Sequence, residues 1–322
     1  MVKMSVPITQ AEVWQKLQDD LGEKSFFQQG KGYQFLAIKK HTPVGNYLYC
    51  PYGPVASNEA SFKDALKALT NLGREEGAIF VRIEPQNSDF ANCLPKSAYK
   101  TKDLSPTDTW LLDLTPDQVD LISHFSQGTR TRYNTYAKKG LVVETTKDSE
   151  QIKHLVNLQN QLYKTKNLNA FSADYLKTEL EQPFATLYLV KYDRQQDKTR
   201  QDTGDYPDDG QVLAASLFFD YDGTRYYMQS AADTKYRRLP ATVALLTQAI
   251  FDAKAQRIKL FDFWGIAPDG APNTHPWYGF TEFKKSFGGY AKHYAGTYDL
   301  VLKPTKYRLY QSTRKLNRLI RK

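Results

Sequence analysis

Apolar and polar positions along this chain fall into two segments that carry the same order of parts. In the first, "GNYLYCPYGPV" reads as a strand ending in a Pro/Gly turn. "NEASFKDALKALTNLGREEG" then places Phe62, Ala65, Leu66 and Leu69 on one face of a helix with Asn58 at its N-cap. "AIFVRIEP" is a strand halted by Pro85, which has no N–H to give to a sheet ladder. In the second segment "GTRYYMQSAAD" reads as a strand, "PATVALLTQAIFDAKA" as a helix with Val243, Leu246 and Ile250 on one face, and "RIKLFDFWG" as a strand. Thirty positions separate Tyr49 from Ile79 and 31 separate Tyr227 from Ile258. Either two related domains are each centred on a strand–helix–strand unit, or two common βαβ parts coincide by chance.

Between the segments, "DTWLLDLT" reads as a strand. "PDQVDLISHFSQGTRTRYNTYAKKG" reads as one helix that starts after Thr115 with Pro116 in its first turn. Its end gathers Arg130, Arg132, Lys138 and Lys139 around Tyr133 and Tyr136, a composition that suits phosphates and bases and equally suits a solvated helix end. A helical region, "HLVNLQNQLYKTKNLNAFSADYLKTEL", follows "LVVETT". The polar tract from Tyr192 to Gly210 holds six aspartates and reads as a mobile acidic insertion, 193–210. From Lys303 to the end there are eight Lys or Arg and no Asp or Glu, with Tyr307, Tyr310, Leu316, Leu319 and Ile320 as apolar positions. That pattern predicts a basic amphipathic helix, packed on the first domain or touching RNA or anionic lipid. The expected division is a first domain at 1–145, completed by a C-terminal helix at 300–322, and a second at 146–299.

With 322 residues, 41% of them hydrophobic, the chain has material for two cores. Lys and Arg outnumber Asp and Glu 44 to 35, and the resulting formal charge of +9 favours anionic partners: nucleic acid, phosphorylated substrates or an anionic membrane face. Cys50 and Cys93 stand far apart, at neither disulfide-framework nor zinc spacing. The five histidines form no HxxxH pair, and neither a GxSxG elbow nor a GxxxxGK[ST] loop is present, so metal, serine-hydrolase and nucleoside-triphosphatase chemistry are not expected. The start "MVKMSVPITQAEVWQKLQDDLG" has no apolar signal core, which predicts a cytoplasmic protein, with any membrane contact peripheral at the inner face.

The stretch "WYGFTEFKKSFGG" sets Lys284 and Lys285 among rings. On an aromatic strand the two would point to opposite faces. Either they snorkel to water, or one ammonium is desolvated and held for an oxyanion or a phosphate.

The ordered motifs "YLYCPYGPV", "VRIEP", "DTWLLDLT", "GTRTRYNTYAKKGLVVE", "FSADYL", "YYMQSAAD", "RIKLFDFWGI", "FTEFKKSFGG" and "YAGTYDLVLKP" resemble the FemABX family of peptidoglycan cross-bridge aminoacyltransferases. The resemblance implies a mixed α/β (α+β) chain of two GCN5-related N-acetyltransferase-like domains. It implies transfer of an amino acid from aminoacyl-tRNA to the stem peptide of a peptidoglycan precursor, UDP-MurNAc-pentapeptide or lipid II, with no cofactor and no metal. The chain departs from the family's pattern in a short N-terminal strand region, in having no coiled-coil arm, and in Tyr52, which stands where an Arg usually precedes the glycine of the GP turn.

By the same resemblance Lys284 matches the lysine of the transfer centre, with Phe283 beside it, and Tyr175 matches a precursor-contact tyrosine. Lys39 is a partner for the precursor's diphosphate, and Tyr52, Tyr227 and Gln229 border the substrate groove. Asp89 either receives a proton or caps a turn, and Asp262 either orients its neighbours or ends a strand. Arg130, Arg132, Lys138, Lys139 and Lys285 are the expected tRNA contacts. Two other readings stay open: an acyl-CoA-dependent N-acyltransferase, although "DTKYRRLPATVALL" has no glycine and Pro240 no N–H for a pyrophosphate, and a non-catalytic RNA- or membrane-surface-binding protein.

Overall fold

The computed structural model describes residues 5–166, 170–201 and 204–320; the side chains of 163–166 and 315–320 lie outside the description, as do Arg321 and Lys322. The chain forms two compact units, the first from residues 1–107 and 293–322 and the second from 108–292.

The first unit opens with α1 (Glu12–Asp20), β1 (Ser25–Gly30), β2 (Tyr33–Thr42), β3 (Gly45–Cys50), β4 (Val55–Ala56), α2 (Glu59–Glu75), β5 (Phe80–Ile83) and β6 (Ala98–Lys100). Asn58 caps α2 as its sequence position predicts, its side chain accepting from the Ser61 N–H at 2.9 Å. The apolar stripe of α2, Phe62, Ala65, Leu66 and Leu69, is buried, and Phe62, Leu66 and Leu69 pack with Phe35, Leu48 and Val81.

The second unit follows with β7 (Asp108–Asp113), α3 (Gln118–His124), α4 (Gln127–Thr135), β8 (Lys139–Thr146), α5 (Ile152–Lys166), α6 (Ala173–Glu181), β9 (Ala185–Asp197), β10 (Val212–Tyr221), β11 (Thr224–Ala232), α7 (Ala241–Ala255), β12 (Leu260–Gly265), α8 (Tyr278–Lys285) and β13 (Tyr290–His293). The chain then returns to the first unit with β14 (Tyr298–Val301) and α9 (Pro304–Ile320).

Among the described residues each unit has one seven-stranded mixed sheet: β1-β2-β3-β5-β14-β6, with β4 on β2, and β13-β7-β12-β11-β10-β9-β8. In both, the repeated sequence pattern becomes a βαβ unit. β3 and β5 run parallel across α2, with Tyr49 opposite Arg82, and β11 and β12 run parallel across α7, with Tyr226 opposite Asp262. The stripe Val243, Leu246 and Ile250 of α7 is buried against Leu213, Phe218, Phe261 and Phe263. No long helical arm interrupts the described second unit, and no described helix is long and apolar enough to cross a membrane.

Three expectations change. The chain passes to the second unit at Thr107/Asp108 and not near Thr146, because β7 pairs with β12 and the strand at 139–146 is an edge of the same sheet. An alternating strand does not record which sheet it joins. The helix expected from Pro116 to Lys139 is two helices. Asp117, not Thr115, caps α3 by accepting from the Asp120 N–H at 2.9 Å, and Ser126 recaps α4 by accepting from the Thr129 N–H at 3.3 Å.

The acidic tract is also tied down where it is described; Asp202 and Thr203 lie outside the description. β9 continues to Asp197, which pairs with Lys139 of β8. Asp197 is buried and accepts from the Tyr192 hydroxyl and from both the N–H and the hydroxyl of Thr199, each at 2.8 Å, and the Tyr206 ring packs on the core. Composition missed this because a few buried anchors suffice to hold a polar hairpin. Asp197→Ala is therefore expected to destabilise the protein by about 1–3 kcal/mol, the cost of orphaning buried donors. Urea denaturation measures it, and an unchanged midpoint would restore the reading of a loose extension.

Candidate active site

The stretch with the paired lysines is helical. Phe280, Thr281, Lys284 and Phe287 recur at helical spacing, and α8 buries Thr281 and Lys284 while Phe287 follows into the core. Lys285 therefore stands about 100° around the axis from Lys284, not on an opposite strand face. It is exposed, paired with Glu282 at 3.2 Å and 5.8 Å over the Trp110 ring.

Lys284 is 8% exposed, its Nζ donating to the Gly265 carbonyl at 2.5 Å and lying 5.5 Å over the Phe280 ring. Burial lowers its pKa to about 8, against the pull of Asp262. Asp262 is also buried, which raises its pKa; its carboxylate accepts from the Thr109 hydroxyl and from the Trp264 N–H at 2.7 Å, and it attracts Lys292 of β13 as well as Lys284.

The backbone makes this possible. β12 is irregular against β7 between Asp262 and Gly265, and Trp264 has φ 64°, a left-handed conformation that costs a bulky residue about 1–3 kcal/mol. The bulge brings the Gly265 carbonyl to Lys284 and the Trp264 N–H to Asp262. After α8, Gly289 has φ 100°, and a Cβ there would meet the Leu111 carbonyl oxygen at 2.2 Å. The preceding Gly288 carbonyl accepts from the Trp110 indole at 2.7 Å, which fixes the turn that ends the helix.

Phe283 packs beside the core, edge-on to Phe287 with centroids 5.3 Å apart. Tyr227 and Gln229 lie on β11, the strand next to β12. Tyr227 stacks on Phe218 and gives its hydroxyl to Ser230 at 2.6 Å; burial pushes its pKa up to about 12. Tyr175 of α6 stacks on Phe171 with centroids 5.0 Å apart and hydrogen-bonds Glu179, a buried carboxyl pushed up to about 8 by burial.

Lys39, Tyr52 and Asp89 belong to the first unit, whereas Lys284 belongs to the second. Lys39 pairs with Glu76 at 2.8 Å. Asp89 is exposed, and its N–H donates to the Asn87 side chain, so Asn87 and not Asp89 is the capping group. Tyr52, expected at the groove, is buried at φ 53°, with its hydroxyl given to the Pro106 carbonyl at 3.0 Å and its ring edge-on to Tyr294. It holds a turn. Of the expected tRNA contacts, Arg132 and Lys138 are exposed, and Lys139 is half-buried at the start of β8. Arg130 donates to the Ser123 carbonyl at 2.9 Å and to the Phe125 carbonyl, joining the end of α3 to α4.

Sequence reasoning missed Thr109, Gly265 and Lys292. Thr109 precedes Asp262 by 153 positions, and no local signal connects them.

The sequence model of the FemAB family matches residues 153–315. No curated protein matches this sequence. In structure the chain is similar to FemX, at 17% identity, over 94% of each chain, with a TM-score of 0.79. It is also similar to L-PGS from Bacillus licheniformis, at 15% identity, over 98% of this chain and 99% of that one, with a TM-score of 0.59. A tandem GNAT protein from the clavulanic acid biosynthesis pathway matches over 92% of this chain and 90% of its own, at 9% identity and a TM-score of 0.52. The fold is thus the mixed α/β architecture of FemX and of tandem GNAT proteins.

Proposed function

Because this chain belongs to the FemAB family, we propose that it transfers an amino acid from aminoacyl-tRNA to the stem peptide of a peptidoglycan precursor, either UDP-MurNAc-pentapeptide or its lipid-linked form. The observation that carries the reading is the buried Lys284 ammonium, fixed by the Gly265 carbonyl. An aminoacyl ester is already activated, so the protein's task is to align the acceptor amine and to stabilise the oxyanion of the tetrahedral intermediate. The amine attacks the ester carbonyl, and Lys284 faces the oxygen that becomes negative. The C–O bond to the ribose then breaks, and the proton lost by the amine ends on the leaving hydroxyl. Phe283 walls the centre, and Tyr175, Tyr227 and Gln229 hold the precursor.

The start of α7 argues against acyl-CoA. Pro240 has no N–H, and the Ala241 N–H donates to the Leu239 carbonyl at 2.9 Å, so two donors that a pyrophosphate cradle would use are missing. Mass spectrometry of precursors incubated with charged tRNAs tests the reading. A product heavier by one aminoacyl residue on a stem-peptide amine supports it; label gained only from acetyl-CoA overturns it.

Binding of tRNA should weaken steeply with salt. Arg132→Ala and Lys138→Ala are each expected to reduce the slope of log affinity against log salt by about 1, as for one lost phosphate contact. Arg130→Ala is expected to lower stability instead, because its guanidinium holds backbone carbonyls. Filter binding across a salt series measures this, and unchanged slopes in both variants would place the RNA elsewhere.

A further inference from the structure

The bulge in β12 beside Lys284 is held by a single carboxylate oxygen. Between the pairs Asp262–Leu111 and Gly265–Thr109, β12 advances three residues while β7 moves two, so one residue of β12 is extra. Asp262 Oδ1 accepts from both sides of this irregularity: from the Thr109 hydroxyl on β7 and from the Trp264 N–H two residues on, at 2.7 Å. An aspartate bonded to the backbone two residues ahead makes an Asx turn, which offsets part of the cost of the left-handed Trp264. The Trp264 ring stands edge-on to Tyr226, with centroids 6.1 Å apart, so β11 braces the turn as well.

Helix α8 docks on what the bulge presents. Lys284 Nζ donates to the Gly265 carbonyl at 2.5 Å, and about one turn earlier the buried Thr281 hydroxyl accepts from the Ala267 N–H at 2.8 Å. Gly265 follows Trp264 directly, so the torsions fixed at Trp264 set where its carbonyl points. Asp262 also acts on the ammonium by charge, its attraction opposing the burial that lowers the Lys284 pKa. The other charged groups around the pair are Lys292 on β13, which Asp262 attracts too, and Glu282 and Lys285 on α8, which pair with each other at 3.2 Å; β7 contributes the uncharged Thr109.

We propose that Asp262 is a positioning residue of the transfer centre: through the Thr109 hydroxyl and the Trp264 N–H it holds the turn that aims the Gly265 carbonyl, and with it the Lys284 ammonium, at the reacting oxygen. The inference rests on Lys284 as the transfer centre. Asp262 acts through Lys284 and the backbone, not on the substrate. A hydrogen-bonded ammonium whose partner carbonyl is fixed has one direction to offer an oxyanion, and preorganisation of that kind is what makes a buried charge effective against it.

The test compares, in the full chain, Asp262→Ala, which removes acceptor and charge, with Asp262→Asn, which keeps an acceptor oxygen and removes the charge alone. Each variant is assayed for transfer from charged tRNA across pH. Lys284 is titrated in parallel by NMR of protein carrying carbon-13 at the lysine ε position, its signal assigned by Lys284→Met. Asp262→Ala is expected to lower kcat by roughly 10²-fold with little change in the KM for tRNA, the scale of a reacting group displaced by about 1 Å. Asp262→Asn is expected to retain more activity and to move the alkaline limb of kcat and the Lys284 titration together to lower pH, because an ammonium deprived of a neighbouring carboxylate gives up its proton more readily. A residue that only ended the strand would lower stability and leave both profiles in place. Wild-type kcat in the folded alanine variant, or a Lys284 titration unmoved in both variants, overturns the proposal; if the alanine variant does not fold, the asparagine profiles decide. Failure of every charged tRNA as a donor for the wild type would instead sink the proposed function, leaving the NMR titration to decide this inference.

Discussion

Lys284→Met is expected to lower turnover by roughly 10²-fold or more while leaving the fold intact, the scale of losing one oxyanion partner. Methionine keeps an unbranched stem in the apolar setting of Phe280 and Phe287 and removes the charge. Lys285→Met is the comparison: its ammonium is exposed and paired with Glu282, and it lies a third of a turn away on α8, so the change should be small. The pH dependence adds a second signature. With its pKa near 8, Lys284 is protonated at neutral pH and loses its proton as pH rises through that value, so turnover should fall there. Stability should move the other way. Between about 8 and the ordinary lysine value near 10.4 the unfolded chain holds the proton more tightly than the folded one, so unfolding free energy rises with pH across that window. Parallel rate and denaturation profiles from pH 7 to 10 measure both. If Lys285→Met is the damaging change, or Lys284→Met is silent, the transfer centre lies elsewhere.

Asp299→Ala is expected to cost about 3–5 kcal/mol, the range for stranding one member of a buried ion pair. Arg82 and Asp299 are each 1% exposed at the side chain and joined by two hydrogen bonds of 2.7 Å, with the guanidinium packed over Tyr47 and Phe80. Oδ2, which accepts from Arg82 Nη2, also accepts from the Tyr307 hydroxyl at 2.8 Å, which ties α9 to β14. A loss of that size is a large part of a typical domain's stability. It should appear in urea as a lower midpoint, accompanied by early exposure of α9 in hydrogen exchange. Asp299→Asn keeps an acceptor for Tyr307 and should cost less. A change below about 1 kcal/mol in the alanine variant would mean that water solvates Arg82 in the mutant.

Much of this protein was legible in its sequence because the relevant signals are short-ranged. Phe62, Ala65, Leu66 and Leu69 declare the buried face of α2, and Asn58 and Pro85 mark where the helix begins and the strand ends, all within a few residues of the features they report. The repeated strand–helix–strand order, and through it the two-sheet architecture, follows from the same local periods. The ordered motifs also led to the family that the comparisons show.

The tertiary structure decided what depends on contacts between distant segments. Whether "DTWLLDLT" belonged with the first or the second sheet was settled by its pairing with β12, about 150 positions later in the chain. The setting of Lys284 was likewise assembled from three separate strands and a helix: Thr109 on β7, Asp262 and Gly265 on β12, Lys292 on β13 and the lysine itself on α8. Nothing in "FKKS" announces a carbonyl at 2.5 Å, since that carbonyl is presented by the left-handed Trp264, a strained residue that local preference argues against and that only surrounding packing can hold. The sequence by itself determined the two strand–helix–strand units, their buried faces and the family. Burial, partner and charge state at the candidate site came from long-range packing, because desolvation is a property of the surrounding atoms and not of the residue.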